Sequence, residues 1–121
     1  MSANTYSSDV NDVFADVRSL RLAVAKGSPL ELRTVCGGLA SDAGTLYGVL
    51  PTPSHNLTDE LGAAMSDFFN GAEKCAVASS TRSTAVRRAE GSVSAGMTLM
   101  TTVHATLARL GIRSPSPGGH K

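Results

Sequence analysis

Four stretches of this chain repeat apolar residues at the spacing of an α-helix, and this pattern constrains the fold more than any other feature. The stretches are separated by short segments rich in Gly, Pro, Ser and Thr, which end helices or form turns. No stretch shows the sustained two-residue alternation with β-branched residues that is typical of a strand. The sequence therefore predicts an all-α protein, folded as an antiparallel up-down-up-down four-helix bundle.

Capping signals give the expected bounds of the first two helices. The first is predicted from about Asp9 to Lys26, with Gly27 as the residue that ends it. The second begins in the sequence Ser-Pro-Leu-Glu at 28–31, which fits a capping box with Pro at the first helical position. It is expected to end at Leu50, directly before a proline.

The third helix is predicted to begin at Thr58. A Ser/Thr cluster at 79–83 is expected to separate it from a fourth helix, from about Thr84 to Leu110, because such side chains compete for backbone hydrogen bonds. The predicted organisation is a flexible N-terminus, a four-helix bundle and a disordered C-terminal tail, at residues 1–8, 9–112 and 113–121.

The composition argues against two classes of partner. The chain has 121 residues and a net charge of +1, which is too little positive charge for a nucleic-acid or anionic-membrane surface. Arg82, Arg87 and Arg88 form a small basic cluster, interpreted as a solvated face. No uncharged apolar run is hydrophobic enough to cross a bilayer. We therefore predict no nucleic-acid partner and no membrane span.

The chain has two cysteines, Cys36 and Cys75, and both lie on apolar stripes. In an antiparallel hairpin, residues at equal distances from the turn lie side by side, and these two are at nearly equal distances from it. This placement predicts a disulfide, which would favour an oxidising compartment. The alternative is a pair of ordinary buried thiols. A zinc site is disfavoured because it needs four ligands and no histidine falls nearby.

A second hypothesis concerns soft ligands on the third and fourth helices. Met97, Met100 and His104 follow one another at helical spacing, and Met65 is expected at a matching height on the third helix. Thioether sulfur and imidazole nitrogen can bind copper(I) or haem iron. This set makes a small-ligand, soft-metal or haem-binding bundle the alternative function. Methionines at this spacing are also common core filler, and we predict no cofactor.

Catalytic groupings are not predicted. The ten Asp and Glu residues fall off the apolar stripes and are interpreted as solvated helix caps. The three histidines are scattered along the chain. The glycines in CGGLASDAG follow no strand and precede no Lys-Ser/Thr pair, unlike those of a phosphate-binding loop. The sequence therefore predicts a protein without enzymatic activity.

Small residues on the second helix favour an interaction role. Gly37, Ser41, Gly44 and Gly48 form a smooth stripe beside the core face. A glycine inside a helix costs up to about 1 kcal/mol relative to alanine, so the stripe indicates a close approach by another element. That element is either the first helix of the same bundle or a second protomer.

The fourth helix carries an unusual uncharged segment. Residues 91–108 contain no Asp, Glu, Lys or Arg, whereas a bundle helix usually has charges on its outer face. Thr98 and Thr102 lie within this segment. The pattern predicts either a helix covered on most sides or a patch for a protein partner or a homodimer. A plain Thr-rich outer face is the alternative.

The segment 50–75, LPTPSHNLTDELGAAMSDFFNGAEKC, resembles a recurrent pattern in small Ala-rich two-Cys helical proteins of actinobacteria. In that pattern a Leu-Pro turn, here Leu50-Pro51, precedes a helix that ends in Ala-x-x-Cys, here Ala72 to Cys75. The resemblance implies a bacterial source and a helical fold, and it carries over no functional residue.

These patterns together predict a non-enzymatic helical module with a structural or protein-interaction role. An extracytoplasmic location is favoured if Cys36 and Cys75 are bridged, and a cytoplasmic one if they are not.

Overall fold

The computed structural model describes residues 3–117, and within them the chain forms four α-helices and no strand. The helices are α1 (Ala3–Lys26), α2 (Pro29–Tyr47), α3 (His55–Ala76) and α4 (Thr84–Arg109). Close backbone contacts join α1 to α2, α2 to α3 and α3 to α4. The prediction of an all-α four-helix protein is therefore confirmed.

Contacts between α2 and α3 agree with the predicted antiparallel direction. Cys36 is paired with Cys75, and a Cβ atom on Gly44 would lie 3.5 Å from Cζ of Phe69. Residue numbers thus rise along α2 as they fall along α3. The direction of the bundle as a whole stays a prediction.

One apolar core lies between the helices and is built from the predicted stripes. Removing a Val or Leu side chain from water contributes roughly 1.5–3 kcal/mol, so these stripes are the main source of stability. The largest fully buried core side chains include Leu20, Leu32, Leu39, Leu46, Leu57, Leu61, Met65, Phe68 and Leu107.

The predicted flexible N-terminus is wrong for residues 3–8. The first helix begins at Ala3, and Tyr6 is 1% exposed in the core. Its ring precedes Val10 and Val13 at helical spacing, so it extends their apolar stripe by one turn. Burial of this phenol raises the pKa of Tyr6 above its usual range, and its hydroxyl finds no hydrogen-bond partner in the described part of the chain.

The turn between α1 and α2 follows the capping signals. Gly27 adopts φ +73°, a left-handed conformation that favours glycine. Ser28 Oγ accepts a hydrogen bond from the Glu31 backbone N–H at 3.3 Å. The second half of the expected capping box is replaced, because the Glu31 side chain pairs with Lys26 at 3.4 Å.

The turn between α2 and α3 differs from the predicted one. The second helix ends at Tyr47 rather than at Leu50, and the third begins at His55 rather than at Thr58. The earlier start has a local cause, because Ser54 Oγ accepts the Leu57 backbone N–H at 3.2 Å and caps the helix.

The separation of α3 from α4 is as predicted, with Ser83 capping α4. A Schellman motif ends α4. Gly111 adopts φ +78°, and the Ile112 backbone N–H donates to the carbonyl of Leu107 at 2.9 Å. The tail beyond it is irregular up to Pro117, and residues 118–121 lie outside the described residues.

Candidate functional site

A disulfide joins α2 to α3. The Cα atoms of Cys36 and Cys75 are 5.9 Å apart, within the range of roughly 4.4–6.8 Å that a disulfide needs. Their sulfur atoms lie at bonding distance, and both residues are fully buried. The sequence-based pairing of these two cysteines is therefore what the structure shows. The link fixes α2 to α3.

The uncharged segment of α4 has one face that the rest of the described chain leaves exposed, so a patch for a partner and a plain Thr-rich outer face both stay as alternatives. Its outer face, called here the α4 face, consists of small uncharged residues that are all exposed. These are Gly91, Ser94, Ala95, Thr98, Thr101, Thr102, Ala105 and Ala108.

Two hydroxyl groups on the α4 face are already bonded within their own helix. Thr98 Oγ1 donates to the carbonyl of Ser94 at 3.1 Å, and Thr101 Oγ1 donates to the carbonyl of Met97 at 3.4 Å. Burying a hydroxyl group is costly when its donor is left without an acceptor. A hydroxyl group that already donates within its own helix avoids this cost when another surface covers it. The α4 face can therefore be covered without leaving these donors unpaired.

The small-residue stripe of α2 is largely exposed. Gly37, Ser41 and Gly48 are exposed, and a Cβ atom on Gly37 would meet nothing within 4 Å. Gly44 is the exception, because it packs beneath the ring of Phe69 inside the same chain.

The first helix approaches α2 beside this stripe rather than on it. The close position is Gly38, where a Cβ atom would lie 3.8 Å from Oδ1 of Asp16. The interpretation that the stripe serves contact with the first helix is therefore wrong at Gly37. A second protomer stays as the alternative for the exposed part of the stripe.

An open groove of about 740 Å³, called here the α2–α3 groove, lies beside the turn that joins these helices. Tyr47 and Phe69 line it with ring centroids 6.4 Å apart and ring planes at 76°. Leu50 and Pro51 also line it, and Asp59 contributes a carboxylate. Tyr47 is 52% exposed, and no pattern in the sequence predicted a groove at this turn.

The metal site of the methionine and histidine set stays a prediction. Met65 and Met100 are buried in the apolar core, and Met97 is half-buried. His104 Nδ1 lies 2.9 Å from Ser114 Oγ, so the ring is engaged by the segment that follows α4. Between residues 3 and 117, no group of three or more His, Cys, Asp or Glu residues is arranged to hold a metal ion.

Two carboxyl groups meet between α1 and α2, which sequence analysis missed. Asp16 is half-buried, and its Oδ2 is buried without a hydrogen-bond partner among the described residues. Burial is the main cause that raises the pKa of Asp16 to about 7, followed by its interactions with Asp42 and with the charge of Asp12. The expectation that every acidic residue is a solvated cap is wrong at Asp16.

This carboxyl pair predicts a loss of stability as the pH rises. Folded Asp16 keeps a proton up to about pH 7, whereas the unfolded chain releases it near 3.8. The stabilising contribution is therefore complete below about pH 4 and is lost by about pH 7. We expect the melting temperature of the wild type to fall across this range of pH. The melting temperature of Asp16→Asn should fall less, because asparagine has no proton to release. Glu73→Gln, an exposed neutralisation on α3, should follow the wild type. Parallel curves for Asp16→Asn and wild type would contradict the assignment.

None of the helices between residues 3 and 117 has the length and hydropathy that crossing a membrane requires. The described residues thus define a disulfide-linked four-helix protein with one uncharged helix face and one aromatic groove. Comparison with family models, curated proteins and solved structures finds no match for this chain. The class of the protein therefore rests on its fold and surfaces.

Proposed function

We propose that this chain is a non-enzymatic protein-interaction module that pairs with a second copy of itself through the α4 face. The observation that carries the proposal is the absence of charge over 91–108 on an exposed helix face. An exposed bundle helix ordinarily carries charged residues there. Buried contact between charged faces costs desolvation, and the α4 face avoids that cost.

Small side chains on the α4 face support a close approach of two helices. Axes of packed helices lie about 8–10 Å apart, and the distance depends on the side chains at the contact. Ala95, Thr98, Thr102 and Ala105 present only short side chains. A single helix face is smaller than the about 800 Å² per partner of a stable interface, so we expect weak, concentration-dependent pairing.

We also propose that the protein works in an oxidising, extracytoplasmic compartment. Disulfides persist in such compartments and are rare in the cytosol of most organisms, and Cys36 and Cys75 are placed for one. The resemblance to small two-Cys proteins of actinobacteria supports a bacterial source for this proposal.

Sedimentation of the purified protein over a range of concentrations tests the pairing. We expect the wild type to form dimers as its concentration rises. Thr98→Lys and Thr102→Glu should stay monomeric, because each places an unpaired charge in the contact. Asn70→Lys adds the same positive charge as Thr98→Lys, but at an exposed position on α3, and it should pair like the wild type.

Two results would contradict the proposed function. The first is a wild type that remains monomeric at every concentration. The second is an Asn70→Lys variant that loses pairing as fully as Thr98→Lys, since that would assign the contact to general charge repulsion rather than to the α4 face.

A further inference from the structure

The α2–α3 groove has an unbalanced negative charge. Among the described residues that line it, Asp59 is the one charged residue and none is basic. Within residues 3–117, the Asp59 carboxylate takes part in no ion pair or hydrogen bond, and the residue is exposed. Asp59 lies beyond the first turn of α3, which holds no acidic residue. Its charge is therefore left available to a ligand.

The aromatic rings of the groove add a second feature that suits a cation. Tyr47 and Phe69 stand edge to face, at 76°, so their faces point in different directions. The face of an aromatic ring carries negative potential and attracts alkylammonium groups, above all when they are partly removed from water. Half of the Tyr47 surface is exposed, so its ring is accessible from solvent.

The walls of the groove are held in place by a hydrogen bond and by packing contacts within the chain. Thr52 backbone N–H donates to Thr58 Oγ1 at 2.8 Å, which ties the turn to the first part of α3. Gly44 lies beneath Phe69, and Gly62 lies beside Leu50, where a Cβ atom would be 3.5 Å from Cδ1. A groove whose walls are already ordered loses less entropy when a ligand binds.

We propose that the α2–α3 groove binds a small organic cation of the quaternary ammonium class. The methyl groups contact the rings of Tyr47 and Phe69, and the positive charge is balanced by Asp59. The apolar remainder of the ligand lies against Leu50 and Pro51. This site is distinct from the α4 face, so it does not depend on the proposed self-association.

The dimensions favour a small molecule over a peptide. The groove has a volume of about 740 Å³, within the roughly 300–1,000 Å³ of small-molecule sites. Its lining comes from the end of α2, the turn after it and one face of α3. It offers one carboxylate, which matches a ligand with one positive charge better than a basic peptide with several.

Titration with choline, followed by amide resonances of the full chain, tests the proposal. We expect saturable shifts of the amide resonances of Gly62 and Ser66, which line the groove on its α3 side. The neutral isostere dimethylbutanol, in which carbon replaces the quaternary nitrogen, should bind at least about tenfold more weakly. Tetralysine should cause no saturable shift in these resonances.

Variants of the lining residues separate the contributions of ring and charge. Tyr47→Ala should abolish the choline shifts, whereas Tyr47→Phe should keep them because it keeps the ring. Asp59→Asn should weaken choline binding and leave dimethylbutanol unchanged. Glu73→Gln is the matched control, because it removes an exposed carboxylate from α3 outside the groove. Unchanged melting temperatures would show that the variants fold.

Four outcomes would overturn the proposal. Equal binding of choline and dimethylbutanol would make the site merely apolar. Choline shifts that survive in Tyr47→Ala would place the contact elsewhere. Saturable binding of tetralysine without binding of choline would assign the groove to a basic protein segment. Absence of any choline shift in the wild type would likewise reject the site.

Discussion

Replacing Cys36 and Cys75 together by alanine is expected to lower the free energy of unfolding by about 4 kcal/mol. The two cysteines are 39 positions apart, and the bond between them removes loop-closure entropy from the unfolded chain. Both lie in the core, so the alanines introduce no buried polar group. Urea unfolding of the oxidised wild type and of the double variant measures the difference.

Reductant supplies the control for this experiment. It should lower the unfolding midpoint of the wild type toward that of the Cys36→Ala/Cys75→Ala variant, and it should leave the variant itself unchanged. A wild type whose midpoint does not respond to reductant, with both thiols found accessible to alkylation after unfolding, would contradict the disulfide.

Gly71→Ala is expected to cost about 1–3 kcal/mol of stability. A Cβ atom at this position would lie 2.8 Å from the backbone carbonyl oxygen of Ala89 and 2.8 Å from Cγ2 of Val93. The backbone oxygen cannot rotate away, so α3 and α4 must move apart. Thermal unfolding of the variant measures the loss.

Gly91→Ala is the matched control for this substitution. It adds the same methyl group to α4, at an exposed position where a Cβ atom would meet nothing within 4 Å. Alanine should then stabilise the helix by up to about 1 kcal/mol. Equal effects of Gly71→Ala and Gly91→Ala would show that α3 and α4 do not approach closely at Gly71.

Local signals explain why most of the fold could be predicted. Apolar spacing and caps such as Ser28 and Gly111 act within a few residues, so they can be read without knowing the partner helix. The cysteine pairing needed one further step, the hairpin geometry of two helices joined by a short turn. That step required only distances from the turn.

Contacts that depend on how helices rotate against one another could not be predicted in this way. Asp16 lies beside the core stripe of α1, and only packing against α2 brings it to Asp42. The same holds for Gly71, whose close approach to α4 has no signal in its neighbours. The burial of Tyr6 was not predicted for a different reason. The residues next to it in the sequence are polar, so they gave no sign that the apolar stripe continues to Tyr6.

The α2–α3 groove arises from the place where α2 ends. Tyr47 is the last residue of α2, and its ring lies beside Phe69 rather than in the core. The prediction extended α2 to Leu50, whereas residues 48–50 belong to the turn in the structure. The groove is therefore a product of the turn, which periodicity alone does not describe.

The pairing of two copies through the α4 face is tested most directly by a dilution series followed by backbone amide resonances. We predict that concentration-dependent shifts fall on the outer positions of α4, at Thr98, Thr101, Thr102 and Ala105, and that α1 stays unchanged. Resonances that are independent of concentration throughout the chain, or shifts confined to another helix, would contradict the account.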